Sequence, residues 1–571
     1  MQKIFKISLL SLLFWGVFLL AEEPNQPFLG LSEALKKSNL NAPQETKQFY
    51  KEYCKSVTCT LVWSDDSLHL NAQAMELLHA IQGSYDQGLN PNKYHADALL
   101  ADAKVIENSA DMHAKMDALL RIDILLSDAY MALAKDLYYG VTDWKKFKAS
   151  KLEKKKKLAQ NKEIVENEKE DTIEWERAKK PPLHFPAYLA QNLATQQISH
   201  SLDALSPDAK EYHQLMASLK YYRALHVSEN ISKNRKKIPL GATIRIQQSD
   251  ERVPQIRARL QLLGELQAQQ NGETFLYGEP YLIDAVKSFQ ASHNLTQDGL
   301  IGAKTIHALN ISAAEKITKI ILNLERFRWL NQGLDAYEAY IDINIPAFEM
   351  QVIEHAKQVI EMKVIVGKKE RPTPILNSKI SYAVLKPSWT APKTIVKEDI
   401  LQKAEMQEYL LSHNMRVYLN VEGELLEVDS REIDWSVYVN EEEIPYIFKA
   451  DSGEANPLGE VKFIFENNYS IYMHDTNQRH LFGNENRALS SGCLRLSEPM
   501  KLLAYLLGTK DAIIDEDEAT DKVVRIAKKL PLVIRYMTVG VDSNNRVYFY
   551  DDIYGYDELQ KESLKENSWM L

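Results

Sequence analysis

The spacing of apolar residues changes once along this chain, near residue 330, and that change limits what the chain can fold into. Before it, apolar residues recur every three or four positions, as at Leu119, Ile122 and Leu126. After it, residues such as Ile341 and Ile343 alternate with polar ones. The first spacing is typical of amphipathic helices and the second of half-buried strands. The sequence therefore predicts a helical amino-terminal part and a β-rich carboxy-terminal part.

The 571 residues exceed what one compact core of ordinary size accommodates, so several domains are expected. The patterns divide the chain into a leader over 1–21, a helical scaffold domain over 29–240, a three-helix unit over 244–312 and a β-rich domain over 336–555. A helical stretch over 399–445 interrupts the last of these and is typical of a lid. The predicted fold class is therefore multidomain α+β.

The leader has the composition of a secretory signal. Lys3 and Lys6 precede an apolar run from Ile7 to Ala21, which is short for a membrane span of about 20 residues. Leu19-Leu20-Ala21 is a poor cleavage site, so an uncleaved anchor with inner-membrane association is the alternative. In either case the sequence predicts export. The formal net charge of −10 argues against a general nucleic-acid binder.

The chain has three cysteines, Cys54, Cys59 and Cys493. In an oxidising compartment the first two, which are close in sequence, can form a disulfide that leaves Cys493 unpaired. The alternative is that both are reduced and buried. An unpaired thiol in an exported protein calls for a functional explanation.

A strongly charged insertion over 145–182 divides the scaffold domain. It contains the run KKFKASKLEKKKK, and a solvated excursion is the default interpretation. The more specific interpretation is a basic patch that contacts membrane lipid or an anionic polymer.

The stretch from His474 to Leu496 contains the parts of a nucleophilic site. A thiol attacks as the thiolate, so Cys493 needs a base or a positive dipole, and His474 is the candidate base. Ser490-Ser491-Gly492 predicts a tight turn that brings backbone N–H groups near an oxyanion. Ser497 is the expected N-cap of a following helix whose positive end would lie near the sulphur.

These residues carry a resemblance to a known family. His474-Asp475-Thr476 followed by Ser490-Ser491-Gly492-Cys493-Leu494-Arg495 resembles the signature of the YkuD-type L,D-transpeptidases, in their large periplasmic Gram-negative branch. Many members have histidine where Ser491 stands. The resemblance implies a β-sandwich with Cys493 as nucleophile and His474 as base. It implies oxyanion support from Gly492, Ser491 and Tyr472. It also implies substrate contacts from Arg495, Ser490 and Trp389. For Trp389, a position in the apolar core is the alternative.

The three-helix unit carries a second resemblance. Its string AVKSFQASHNLTQDGLIGAKTIHALN resembles the type 1 peptidoglycan-binding domain. That resemblance implies contact with glycan or peptide stems, and the alternative is a packing unit used only as scaffold.

Together the two resemblances imply a periplasmic enzyme of cell-wall biogenesis and cell shape. It would join a tetrapeptide donor to an amine acceptor in 3→3 cross-links, would be a carbapenem target and would work with other cell-wall synthesis proteins. Water or a protein lysine as acceptor would instead make it an L,D-carboxypeptidase or an anchoring enzyme. A non-catalytic peptidoglycan-binding scaffold is the alternative of another class. No cofactor or metal is expected, since a zinc hydrolase built on His474, Asp475 and His480 has no common ligand spacing.

Overall fold

The structure is a computed structural model. It describes residues 43–564, except 57–60, 160–172, 232–235, 268–273, 331–336 and the single positions 404, 440, 442 and 516. The chain forms two compact units. Unit 1 comprises residues up to 141 together with 180–207, and unit 2 comprises 142–179 together with 208 onwards.

Unit 1 is helical, as the apolar spacing predicts. Its longest helix ends at Tyr139, and Gly140 follows as its C-cap with a φ of 84°. Buried Asp123 in this helix accepts hydrogen bonds from Tyr50 and from the backbone of Trp63, so it fixes the segment before the second helix. The helices are α1 (Gln44–Ser56), α2 (Ala72–Gly83), α3 (Ala96–Asn108), α4 (Met112–Tyr139), α6 (Phe185–Ala194) and α7 (Ile198–Asp203).

Unit 2 begins with α5 (Trp144–Ala159) and α8 (Lys210–Ile231). The predicted three-helix module follows, with α9 (Val253–Leu262), α10 (Pro280–Ser292), α11 (Ala303–Leu309) and the short strands β1 (Gln248–Ser249) and β2 (Leu276–Tyr277) around one apolar core. The linking helix α12 (Ala313–Phe327) starts at a capping box formed by Ser312 and Glu315. It packs on α8.

A ten-stranded sheet forms the predicted β-rich domain. Its strands form one continuous hydrogen-bonded path that closes on itself through the pairing of β6 with β11. The strands are β3 (Ala339–Asn344), β4 (Glu349–Glu354), β5 (Lys357–Gly367), β6 (Leu376–Leu385), β11 (Val461–Phe465), β12 (Met473–His474), β13 (Ala488–Ser490), β14 (Leu494–Leu496), β15 (Lys522–Arg525) and β16 (Pro531–Arg535). Helix α15 (Pro499–Leu507) follows β14, the hairpin β17 (Val539–Val541) with β18 (Val547–Phe549) packs on α8 and α12, and α16 (Tyr556–Leu564) ends the described chain.

Residues 389–450, which we call the insertion, contain the predicted lid. A helical stretch is present, with α13 (Lys393–Ile395), a π-helix (Val396–Ile400) and α14 (Met406–Ser412). The insertion also contains a four-stranded sheet that the sequence analysis did not predict, made of β7 (Trp389–Thr390), β10 (Tyr446–Ala450), β8 (Met415–Val421) and β9 (Glu424–Val428). The insertion has its own apolar core, since alternate residues of β8 and β10 are buried with the helices.

The interpretation of 145–182 as a solvated excursion is wrong at both ends of that segment. Phe147, Ile173 and Trp175 are at most 3% exposed and pack in the core of the ten-stranded sheet. Trp175 also forms a parallel β-bridge with Ile375. The sequence pattern missed these positions because the residues between them are mostly charged. A few large buried side chains are nevertheless sufficient to anchor a segment.

Two predictions at the amino terminus remain predictions. The leader and Cys59 lie outside the described residues, so the structure gives no account of the signal or of a bond from Cys59 to Cys54. Within the described part of the chain, no helix combines the length and apolarity that crossing a membrane requires.

Candidate active site

Two neighbouring parallel strands bring the predicted nucleophile and base together. Strand β12 pairs with β14 so that Met473 lies opposite Leu494 and His474 opposite Arg495. Met473 and Leu494 are buried in the core of the sheet. Because side chains alternate along a strand, His474 and Arg495 lie on the other face. Cys493 directly precedes β14, and its sulphur accepts a hydrogen bond from the backbone of Tyr472, two positions before His474.

His474 is oriented by a backbone carbonyl. Its Nδ1 lies 2.5 Å from the carbonyl oxygen of Asp475, and the side chain is only 4% exposed. A carbonyl can only accept a hydrogen bond, so Nδ1 carries the proton and Nε2 has a free lone pair. The Asp475 carboxylate points elsewhere, to the Glu460 N–H at 3.0 Å and to Arg479. The histidine is thus in the tautomer that a general base requires.

Burial keeps both reacting groups neutral. It raises the pKa of Cys493 to about 11, although a backbone hydrogen bond from Tyr472 and the positive charge of Arg495 act in the opposite direction. Burial, together with the Arg495 charge, lowers the pKa of His474 to about 3. Among the described residues, no hydrogen bond connects the Cys493 sulphur with the imidazole ring. The resting site therefore contains a thiol and a neutral imidazole.

The turn before Cys493 is closed by Ser490. The Ser490 hydroxyl donates to the Cys493 carbonyl at 2.6 Å and accepts from the Gly492 N–H at 3.1 Å. Gly492 has a φ of 114°, a conformation that favours glycine. Since the only donor of Ser490 is used inside the turn, its predicted contact with substrate has no support in the resting geometry. The predicted oxyanion donor Gly492 N–H is likewise engaged.

Three residues that the sequence analysis did not identify as part of the site support this turn. Thr373 Oγ1 donates to the Gly492 carbonyl at 2.8 Å and accepts from the Gly367 N–H at 2.9 Å. The Tyr554 hydroxyl donates to the Gly367 carbonyl and accepts from the Thr373 N–H. Gly367 and Tyr554 are far apart in sequence, so no local pattern could have identified them. The end of β5 and the flanking prolines of Thr373 predict only a turn.

The remaining predicted residues lie around the sulphur. Arg495 donates to Gln478 Oε1 at 2.8 Å, while its buried Nε has no partner among the described atoms. The Tyr472 ring contacts the His474 ring edge-on, with centroids 5.6 Å apart. Trp389 is 8% exposed in the core of the insertion and donates a hydrogen bond to Tyr472. Trp389 therefore occupies the core position that the sequence left open beside a substrate contact.

The insertion is connected to the cysteine loop through Arg371. The Arg371 guanidinium donates to Ser491 Oγ at 2.9 Å and forms ion pairs with Glu398 and Asp399 of the π-helix. The Tyr472 ring also packs against the core of the insertion. This part of the insertion thus borders the nucleophile directly.

The predicted capping of the helix after the site is wrong by one residue. Helix α15 starts at Pro499 with Glu498 as its N-cap, whereas Ser497 pairs through its hydroxyl with the Lys363 N–H at 3.1 Å. Ser497 is held by the edge of β5 and is therefore not free to cap. The charges and hydrogen bonds that act on Cys493 include Arg495 and Tyr472 and do not depend on this helix.

Three family models match consecutive parts of the sequence. Residues 338–524 match the YkuD model, described as "L,D-transpeptidase catalytic domain", and this range contains the histidine and cysteine described above. Residues 44–219 match a model described as "Scaffold domain", and residues 249–309 match one described as "Putative peptidoglycan binding domain".

One protein relative and two solved structures illustrate the similarity. A Haemophilus influenzae (strain ATCC 51907 / DSM 11121 / KW20 / Rd) protein described as "Putative L,D-transpeptidase" is 31% identical over 303 residues, which are 51% of this chain and 58% of the relative's length. An L,D-transpeptidase from Mycobacterium smegmatis is 14% identical with a TM-score of 0.19, over 36% of this chain and 61% of that one. The L,D-transpeptidase from Xylanimonas cellulosilytica DSM 15894 is 12% identical with a TM-score of 0.18, and the match covers 52% of this chain and 99% of that one. TM-scores this low carry no structural argument.

Proposed function

We propose that this protein, whose residues 338–524 match the YkuD-family L,D-transpeptidase catalytic domain, forms 3→3 cross-links between peptidoglycan stem peptides through an acyl-enzyme on Cys493. The observation that supports this most is the pairing of β12 with β14, which places His474 opposite Arg495 and so brings it close to Cys493, the residue that directly precedes β14. The peptidoglycan-binding domain over 249–309 supports a cell-wall substrate.

The first step would transfer the stem to sulphur. The Cys493 thiol gives its proton to His474 Nε2, and the sulphur attacks the carbonyl of the third stem residue. A C–S bond forms, the C–N bond to the terminal D-alanine breaks, and Nε2 delivers the proton to the leaving amine. The Cys493 N–H donates to no group among the described residues, so it is the available oxyanion donor while the Gly492 N–H is engaged.

The second step would transfer the stem to an acceptor. An amine from another stem attacks the thioester, His474 Nε2 takes the proton from that amine, and the proton returns to the sulphur as the C–S bond breaks. Half-buried Arg495, whose Nε has no partner among the described atoms, is placed to bind a stem carboxylate. Water as the nucleophile would give a shortened stem instead of a cross-link.

Purified protein, a synthetic tetrapeptide stem and a stem acceptor carrying a free amine test this proposal. Mass spectrometry should show a cross-linked product together with free D-alanine. Cys493→Ala and His474→Gln should abolish both products, while His480→Gln, at an exposed histidine of the same loop, should form them at the wild-type rate. D-alanine with a shortened stem alone would establish the carboxypeptidase, and turnover by Cys493→Ala would refute the proposal.

Two further parts of the proposal concern location and inhibition. We place the enzyme in the periplasm, exported by residues 1–21, and expect it to be a carbapenem target. An intact-mass adduct with a carbapenem on the wild type, absent from Cys493→Ala, would support an activated nucleophile. An adduct that persists in Cys493→Ala would place the reactive group elsewhere.

A further inference from the structure

A cavity of about 350 Å³ lies in unit 2, among α8, α10, α12 and the β17–β18 hairpin. None of the residues that form the cysteine loop lines it. Its wall is partly aromatic and apolar, with Tyr221, Leu263 and Val547, and partly polar. This volume and this mixture of surfaces are typical of sites for small molecules.

Lys316 of α12 contributes a buried cation to the wall. It is only 2% exposed, and its ammonium lies 5.0 Å from the ring centroid of Phe549 and 5.6 Å from that of Tyr222. Among the described residues it forms no ion pair and no hydrogen bond. Aromatic rings recover only part of the solvation that a buried ammonium loses. The charges of Glu265 and Glu229 act on Lys316 from a distance, but among the described residues no anionic oxygen lies within ion-pair distance of its ammonium.

His293, at the end of α10, contributes a hydrogen-bond acceptor to the same wall. Its Nδ1 lies 3.0 Å from the Phe289 carbonyl, which can only accept, so the ring proton is on Nδ1. Burial and the nearby Lys316 charge hold the pKa of His293 well below its ordinary value, and the ring is neutral. The buried Nε2 has no partner in the described structure, so it lacks a donor.

Glu265 completes the polar part of the wall. One of its carboxylate oxygens accepts from Ser288 at 2.7 Å and pairs with the Arg546 guanidinium at 3.6 Å, while the other has only a 3.5 Å contact with Ser292. The second oxygen can therefore accept another hydrogen bond. This oxygen adds an acceptor for an N–H group to a wall that also carries the Lys316 and Arg546 cations, so the wall suits a ligand with an N–H donor beside a carboxylate.

We propose that this cavity binds a small zwitterion, an α-amino acid or a dipeptide, whose carboxylate is held by Lys316 and whose N–H groups are held by His293 and Glu265. Such a ligand supplies the missing acceptor and the missing donor at once. The proposal does not depend on the reaction catalysed at Cys493.

Isothermal titration calorimetry of the full-length protein with glycylglycine tests the proposal. Wild type should bind the dipeptide, and glycylglycinamide, which lacks the carboxylate, should bind at least about tenfold more weakly. Lys316→Met should show the same loss. Lys220→Met, which removes an exposed lysine from α8 outside the cavity, should bind as wild type does.

A second variant covers the case in which Lys316→Met fails to fold. Ala217 of α8 is exposed to the cavity, so Ala217→Trp fills part of it and leaves the buried charges intact. This variant should also lose binding. The proposal is refuted if wild type shows no binding up to about 10 mM. It is equally refuted if Lys316→Met, or Ala217→Trp where the lysine variant does not fold, binds with wild-type affinity, since the dipeptide would then bind elsewhere.

Discussion

The neutral resting state of the active site has a measurable consequence for thiol alkylation. With a pKa of about 11, only about 0.1% of Cys493 is thiolate at pH 8, whereas an ordinary cysteine of pKa 9.0 is about 10% thiolate. The rate of reaction with iodoacetamide should therefore rise about tenfold per pH unit between pH 7 and pH 10 and show no plateau. At pH 8 this factor alone makes the reaction about 100-fold slower than that of an ordinary thiol.

The assay follows alkylation of the Cys493 peptide by mass spectrometry, with denatured protein as the measure of full reaction. Restricted access lowers all rates equally and leaves the slope against pH unchanged, so the slope reports the pKa. Arg495→Met should slow the reaction further, because the Arg495 charge lowers the pKa of Cys493. Arg431→Met is the matched control, since Arg431 is an exposed residue paired with Asp429.

One result would refute this reasoning. A rate that is independent of pH between 7 and 9 would mean that a thiolate–imidazolium pair already exists at rest, as in activated thiols. In that case burial would not dominate the two pKa values. If the slope is as expected, proton transfer must be promoted when substrate enters the site.

Four further changes test the architecture. Thr373→Val leaves a buried N–H and a buried carbonyl unpaired below the cysteine turn, and urea unfolding should show a loss of about 2–5 kcal/mol, while no loss would contradict the role of that hydroxyl. Gly492→Ala forces a side chain into a φ of 114° and should cost about 1–3 kcal/mol by the same measure. Arg371→Met removes the ion pairs that hold the insertion, so limited proteolysis within 399–445 should accelerate several-fold, and unchanged cleavage would argue against a tether. Trp175→Ala should destabilise unit 2 by about 3–5 kcal/mol and leave the unfolding of unit 1 unchanged in calorimetry.

The local parts of the fold were predictable from the sequence. Strands β3 and β5 follow from strict alternation, and the end of α4 follows from Gly140. The apolar runs near the carboxy terminus form the hairpin of β17 and β18, while residues 531–535 join the large sheet as β16. The hairpin of β8 and β9 had a signal that was missed, because Glu422 and Gly423, both with positive φ, separate two alternating runs.

The active site was predictable only where its parts are close in sequence. His474 and Cys493 lie within one short stretch, and the strand pairing that joins them is consistent with their spacing. Thr373 and Tyr554, which support the cysteine turn, are 181 residues apart in sequence. Trp175 is likewise buried by residues that are distant in sequence. Such contacts arise from tertiary packing, which no local propensity encodes. The carbonyl that orients His474 belongs to the adjacent residue, yet it became identifiable only from the backbone path.

The early segment of unit 2 also imposes an order of events on synthesis. Phe147 packs against Trp329 and against Tyr556, which emerges about 400 residues later. At about 5–20 residues per second, this aromatic segment stays uncovered for about 20–80 s after it is made. The last helices of unit 1 follow the segment at once, so unit 1 can close while the segment waits. A chain built in this way depends on protection from aggregation during translation, and a ribosome that stalls before residue 556 leaves exposed aromatic side chains that favour misassembly.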